Sequence, residues 1–311
     1  MDDKIKLYVI SGFMGSGKST FLKNLLTYLS GVKIGIIVNE FGRITQEGRI
    51  YRKNGISFVE DKNGSVFCAC KKSNLVAAME EMAEHNLKYV FIEGAGYEDP
   101  SELFKVLGKI ESDMGTVYEY GGALCIVDGL YFCDQLENYK LIEKQLNQCH
   151  LAVVNKIDLI GKRTLERIKA KIHEINPELR IKEAQFGKIN YEFLNENLLK
   201  NYDDDCEDFN ISPESKPVMI TLHFSGRIKK AELTKFLTEM SVHCYRIKGF
   251  CMMEDGWNKV DVVQDIIEFK PSAIEENESN LIFASKIGNS IAGKILDSWK
   301  KIFVKEMRLS V

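Results

Sequence analysis

Ten residues near the start of the chain carry the densest chemistry: Ser11-Gly12-Phe13-Met14-Gly15-Ser16-Gly17-Lys18-Ser19-Thr20. They lie between the apolar run Ile5–Ile10 and the helix-forming stretch Phe21–Leu26. G-x-x-x-x-G-K-S at a strand-to-helix turn is the pattern of a nucleotide phosphate-binding loop. Glycines let successive backbone N–H groups wrap an anion without a Cβ in the way. A helix that begins near Gly17 aims its free N–H groups and positive dipole end at the same anion. The Lys18 ammonium then reaches the β- and γ-phosphates, and the Ser19 hydroxyl ligates Mg²⁺. Gly12, Gly15, Ser16, Gly17, Lys18, Ser19 and Thr20 are therefore expected nucleotide contacts.

Two later strand ends complete such a site. The run Leu151-Ala152-Val153-Val154 ends in Asn155-Lys156-Ile157-Asp158. The Asp158 carboxylate can accept two hydrogen bonds from the N1–H and exocyclic amino group of guanine. Adenine lacks that donor pair and leaves the carboxylate unmatched, which selects GTP and GDP over adenine nucleotides. The Lys156 stem can lie over the base, and Asn155 can tie the loop together. Ala184-Gln185-Phe186-Gly187 follows the next apolar run and offers a second wall for the base. Tyr89–Ile92 ends in Glu93-Gly94-Ala95-Gly96. There a carboxylate can hold the water shell of Mg²⁺, and the Gly96 N–H can sense the γ-phosphate and release the loop after hydrolysis. Lys18, Glu93 and Gly96 are thus the expected catalytic set. No residue stands out as the one that orients the attacking water, so unaided hydrolysis is expected to be slow.

Of eight cysteines, only Cys68 and Cys70 are close enough in sequence to act together. Residues two apart in an extended segment face the same side, so both thiolates can bind one metal ion, although two ligands do not close a tetrahedral site. Cys125 and Cys149 border apolar runs and read as buried packing residues.

These residues need a scaffold. From the start to about residue 200, short apolar runs alternate with amphipathic stretches. The strands expected are 6–11, 33–39, 89–93, 122–127, 150–155 and 180–184. The helices expected are 18–29, 73–85, 101–109, 139–147 and 163–175. That alternation predicts α/β architecture, a mostly parallel sheet with helices on both faces and ligands at the carboxyl ends of the strands. An acidic, proline-punctuated stretch over 201–217, with Asp203-Asp204-Asp205 at its start, reads as a linker. Residues 218–311 restart the pattern as a small α+β domain, with strands at 218–224, 244–253, 259–269 and 281–285 and helices at 229–240 and 290–303. The domains expected are therefore 1–200 and 218–311.

The 311 residues carry a net charge of -3, which argues against a nucleic-acid partner. No apolar run approaches the length of a membrane span. The acidic opening Met1-Asp2-Asp3-Lys4 leads straight into the first strand and does not read as a secretory signal, so the expected compartment is cytoplasmic.

Taken in order, Gly12–Thr20, Asn39-Glu40-Phe41-Gly42, Cys68-Ala69-Cys70, Glu93–Gly96 and Asn155–Asp158 resemble the CobW-like P-loop GTPases, a metallochaperone and cobalamin-biosynthesis-associated family. Arg246-Ile247-Lys248-Gly249-Phe250 is similar to that family's second domain. The resemblance implies a SIMIBI-type P-loop fold with a small C-terminal α+β domain. It also implies slow GTP hydrolysis coupled to holding a transition metal, zinc or cobalt, and delivering it to a client metalloprotein. Family members can self-associate, which implies a homodimer as one assembly. Cys68 and Cys70 match the first two cysteines of the family's C-x-C-C metal motif, and Lys71 stands where the third belongs. Glu40 is the implied substitute ligand, with Cys133 and His85 as weaker choices. The departure at Lys71 keeps a second reading open: a GTP-dependent switch or assembly factor for a metallo- or corrinoid enzyme that carries no metal itself.

Overall fold

The computed structural model describes residues 4–38, 57–60, 72–94, 102–200, 218–273 and 276–310. The chain divides into two compact units, Met1–Ser212 and Pro213–Val311.

The first unit is a seven-stranded sheet in the order β3-β2-β4-β1-β5-β6-β7. Its strands are β1 (Ile5–Ser11), β2 (Ile34–Val38), β3 (Ser57–Glu60), β4 (Tyr89–Glu93), β5 (Tyr118–Asp128), β6 (Leu151–Asn155) and β7 (Arg180–Glu183). Every pairing is parallel. The helices are α1 (Lys18–Tyr28), α2 (Lys72–Ala83), α3 (Glu102–Met114), α4 (Phe132–Asn138), α5 (Lys140–Asn147) and α6 (Lys162–Ile175). Successive side chains of a strand face opposite ways, and β1 shows the result. Leu7 and Val9 join a core containing Met79, Met82, Ile110, Leu146 and Ile172, whereas Tyr8 and Ile10 join one built from Phe21, Leu22, Leu25 and Phe193. Helices therefore cover both faces, as the alternation of runs predicts. The chain leaves β1 in one direction to build β2, β3 and β4, then in the other to build β5, β6 and β7. That reversal puts the tip of β1 between the tips of β4 and β5, where open parallel sheets bind ligands.

Two elements of this unit were not foreseen, strand β3 and helix α4, and strand β13 (Met307–Ser310) of the second unit was not foreseen either. Strand β5 is longer than the expected 122–127, because the pair Gly121-Gly122 does not end it. The register against β1 slips by one residue at Leu7/Tyr8, opposite Gly121, and the strand continues.

The second unit is antiparallel throughout, ordered β11-β10-β9-β12-β8-β13. Its strands are β8 (Val218–Phe224), β9 (Cys244–Met253), β10 (Gly256–Val263), β11 (Ile266–Pro271), β12 (Ser279–Ser285) and β13 (Met307–Ser310), with helices α7 (Lys230–Ser241) and α8 (Ile291–Ile302). The order β13-β8-β12-β9 is that of a split β-α-β pair, and β10 and β11 extend it as an inserted hairpin. Leu233, Phe236 and Leu237 of α7 and Ile291, Ile295 and Trp299 of α8 fill a core against Leu222, Ile247 and Phe283. The Trp299 ring lies 4.2 Å from Phe303 and 4.8 Å from Phe224, and its indole N–H donates to the Lys305 carbonyl at 2.9 Å. The expected single strand 259–269 is two strands, because Gln264 adopts φ 55° and turns the chain. Among the described residues, no helix is long and apolar enough to cross a membrane.

Candidate functional site

The loop between β1 and α1 is shaped by glycines at positive φ: Gly12 at 128°, Gly15 at 79° and Gly17 at 102°. Gly12 also has no room for a side chain, since a Cβ there would lie 2.2 Å from the Ile126 carbonyl oxygen of β5. The loop thus leans directly on the neighbouring strand, and Phe13 stacks on Tyr139 with ring centres 5.0 Å apart. Gly17 is the N-cap of α1 and brings no side chain to its first turn. The opening N–H groups of a helix have no partner within it, so these donors are left for a ligand.

Lys18 is 8% exposed. Its ammonium donates to the Gly12 carbonyl at 2.8 Å and the Phe13 carbonyl at 3.1 Å, which folds it back over the loop. The Ser19 hydroxyl donates to Glu93 Oε1 at 2.7 Å, across 74 residues of sequence. Glu93 is buried at the tip of β4, and the next residue continues the pattern, Gly94 N–H donating to the Ile10 carbonyl at 3.0 Å. A hydroxyl and a carboxylate on the phosphate side of the loop form a hard-oxygen donor set of the kind that suits Mg²⁺.

Asn155 ties the two halves of the site together. Its Nδ2 donates to the Ser16 carbonyl at 2.9 Å, and its Oδ1 accepts the Gly187 N–H at 2.8 Å. The side chain is 2% exposed, so both bonds form where water does not compete. Lys156 follows in the left-handed region, φ 63°. Its ammonium sits 2.7 Å from Asp128 Oδ2 and 5.9 Å from the centre of the Tyr131 ring. Asp158 falls in the short turn Ile157–Leu159 and is exposed. Among the described residues nothing bonds its carboxylate, which leaves both oxygens able to accept from a ligand.

Asp128 was missed by sequence reasoning. Its carboxylate is fully buried at the end of β5 and accepts the Leu130 N–H at 3.1 Å as well as the Lys156 ammonium. A carboxylate held this way needs its cation, so Asp128 fixes the course of the Lys156 side chain. The signal was present: an apolar strand ending in Asp128-Gly129 repeats the form of Glu93-Gly94 at the end of β4.

The structure therefore brings Gly12, Gly15, Ser16, Gly17, Lys18, Ser19, Thr20, Glu93, Asn155, Lys156 and Asp158 to one edge of the sheet. Glu40, Cys68, Cys70, Lys71 and Gly96 lie outside the described residues. Among the described residues, no three His, Cys, Asp or Glu side chains gather as a metal site. Cys125 and Cys149 are buried in the core, as expected.

Residues 6–183, more than half of the chain, match the family described as CobW/HypB/UreG, nucleotide-binding domain. The chain belongs to the CobW/HypB/UreG family. It is 27% identical over 216 residues to zinc-regulated GTPase metalloprotein activator 1 of Dictyostelium discoideum, covering 58% of this chain and 45% of that protein. It is 23% identical over 197 residues to the zinc chaperone YjiA of Escherichia coli K12, covering 61% of this chain and 60% of that one. The chain thus spans about half the length of the curated relatives it matches. A solved structure of a zinc-bound triple mutant of the YjiA GTPase is similar over 96% of this chain and 99% of that chain, with TM-score 0.50 at 17% identity. At that identity the likeness speaks to fold alone. It agrees with a CobW/HypB/UreG-type P-loop sheet, and the antiparallel unit lies C-terminal to the matched residues.

Proposed function

We propose that this CobW/HypB/UreG chain binds GTP with Mg²⁺ and hydrolyses it slowly to GDP and phosphate. We further propose that the cycle is coupled to taking up a transition-metal ion, zinc or cobalt, and passing it to a client metalloprotein. The observation that carries the first part is the Asn155 clamp. One buried amide joins the phosphate loop to the loop after β7, beside a turn whose Asp158 carboxylate has no partner among the described residues. That is how a site would read a phosphate chain and a guanine edge in one molecule.

The roles in this reading are as follows. The N–H groups from Gly15 to Thr20 face the phosphates, and Lys18 exchanges its two carbonyl partners for β- and γ-phosphate oxygens. Ser19 and Glu93 are the residues that would hold Mg²⁺, Glu93 through water. Bound there, the cation would neutralise charge on the leaving phosphates. The Gly96 N–H senses the γ-phosphate. Asp158 accepts from the guanine N1–H and amino group, Lys156 lies along the base, and Asp128 fixes Lys156.

The cargo ion would be taken by the Cys68 and Cys70 thiolates with Glu40. Thiolate capture releases protons, so affinity should fall at low pH. The names of the relatives support zinc. Lys71 supports the second reading, a GTP-dependent assembly factor that carries no metal.

One experiment separates them: GTP and ATP hydrolysis with and without stoichiometric Zn²⁺ or Co²⁺, on the native protein and on Cys68→Ser/Cys70→Ser. A GTP-specific rate that responds to metal only in the native protein is the expected result. A rate indifferent to metal in both proteins selects the assembly factor. Equal use of ATP and GTP overturns the guanine reading.

A further inference from the structure

Three non-glycine residues among those described hold positive φ: Lys156, Phe186 and Gln264. Gln264 lies in the turn between β10 and β11, where such angles are ordinary. Lys156 and Phe186 stand instead just past the tips of the adjacent strands β6 and β7. Phe186, at φ 51°, is the odd choice. A bulky side chain in the left-handed region is strained, and glycine or asparagine would relieve it. The ring gains no packing in return, since Phe186 is 64% exposed.

The backbone around it is firmly held. The Phe186 carbonyl accepts Asn24 Nδ2 of α1 at 2.7 Å, and Gly187 N–H donates to Asn155 Oδ1 at 2.8 Å. Lys188 N–H closes the loop on the Gln185 carbonyl at 3.0 Å, and Ile157 N–H bonds the Ala184 carbonyl at 3.3 Å. Gly187 lies so close to α1 that a Cβ there would sit 2.7 Å from the Phe21 nitrogen. A fixed, strained backbone therefore presents a bare aromatic ring beside the turn that carries Asp158 and next to the helix that opens from the phosphate loop. The ligand chemistry that uses a flat apolar face beside a hydrogen-bonding carboxylate is a nucleobase.

We propose that the base of the bound nucleotide stacks on the Phe186 ring. The proposal rests on the GTP reading above and divides the labour of the pocket. Asp158 reads the edge of the base and decides which base is accepted. Phe186 covers its face and decides how tightly any accepted purine is held, because every base has a π-face.

The test is calorimetric, on the full chain. Native protein, Phe186→Gly, Phe186→Leu and Phe186→Trp are titrated with GDP, with inosine diphosphate and with inorganic tripolyphosphate, which has no base. Phe186→Gly relieves the backbone and keeps the loop, so a loss of affinity cannot be laid to strain. It should weaken GDP and inosine diphosphate by the same factor, about 10-fold, and leave tripolyphosphate unchanged. Phe186→Leu should fall between, and Phe186→Trp should bind like the native protein with its fluorescence quenched by GDP. Native affinity for GDP in Phe186→Gly overturns the proposal, as does a parallel loss of tripolyphosphate binding, which would mean the residue only shapes the loop. Native protein that does not bind GDP at all defeats the guanine reading itself, a different and separately visible result.

Discussion

The two units distribute their buried charge differently. In the first, Lys18, Glu93, Asp128 and Asn155 are all buried, and all lie at the carboxyl ends of the parallel strands or just beyond. In the second, the buried polar residues among those described are Ser241, Asn258, Ser279, Ser285 and Ser298, and the Lys248 ammonium is buried as well. The first five are small and neutral and find partners close by in the same unit. Ser279 Oγ accepts the Met252 N–H at 2.9 Å, and the Ser298 hydroxyl donates to Glu239 at 2.7 Å. The strong pair Arg246–Asp261 keeps about a quarter of each side chain in solvent, 26% and 27%. Burying a charge is costly unless partners compensate it. The first unit carries that cost at one edge, where Lys156 already compensates Asp128, an anionic ligand would compensate Lys18, and its cation would compensate Glu93. The second unit carries it at Lys248 of β9, where burial pulls the ammonium's pKa down to about 7, and is otherwise organised around its apolar core.

The sharpest way to break this contrast is Lys18→Ala. Charge-assisted contacts to phosphate are the strongest available to the loop, and the loss of GTP affinity should be about 100-fold or more, read by titration. Native affinity in that variant would mean the buried lysine serves the fold and not a ligand. The counterpart in the second unit is Gly249→Ala. A Cβ at Gly249 would lie 1.9 Å from the Asn280 carbonyl oxygen, so β9 and β12 would have to part. We expect a loss of about 3 kcal/mol in the unfolding of that unit, with GDP binding by the full chain retained. Loss of both would show that the units stand or fall together.

A third difference appears with pH. His150 is 8% exposed, its Nδ1 accepts the Ala123 N–H at 3.1 Å, and burial holds its pKa down to about 4. Folded pKa lies below unfolded pKa, so the unfolded chain binds the proton first. Stability of the first unit is therefore complete above about pH 6.5 and declines as pH falls toward 4, by about 3 kcal/mol at most. Denaturant midpoints from pH 7.5 to 4.5 should show this slope, and His150→Gln should flatten it. The smallest effect is expected for Asp261→Asn, which weakens a partly solvated pair by about 1 kcal/mol and leaves nucleotide binding untouched. A change in GDP affinity there would contradict the division between the units.

Much of the site was legible because its signals are local. The phosphate loop and Asn155–Asp158 each compress their chemistry into a few consecutive residues flanked by apolar runs. What could not be read is what depends on distance or on an unexpected backbone angle. Asp128 acquires its role only when β5 and β6 lie side by side and Lys156 turns through positive φ. The break between β10 and β11 falls at Gln264-Asp265, where no glycine or asparagine announces a turn. Strand β13 spans only Met307–Ser310, too short to show a period, and is held in place by pairing with β8.

The clamp made by Asn155 also bears on how the chain reaches its folded state. Asn155 bonds a carbonyl 139 residues earlier, and Asn24 bonds one 162 residues later. Contacts of such sequence separation form slowly, because the intervening chain must be closed before they return any free energy. A growing polypeptide cannot assemble the pocket until Gly187 has been made. Guanine-nucleotide binding would then come late in the folding of the first unit, and the nucleotide would act as a stabiliser that draws that unit's last loops into register by mass action.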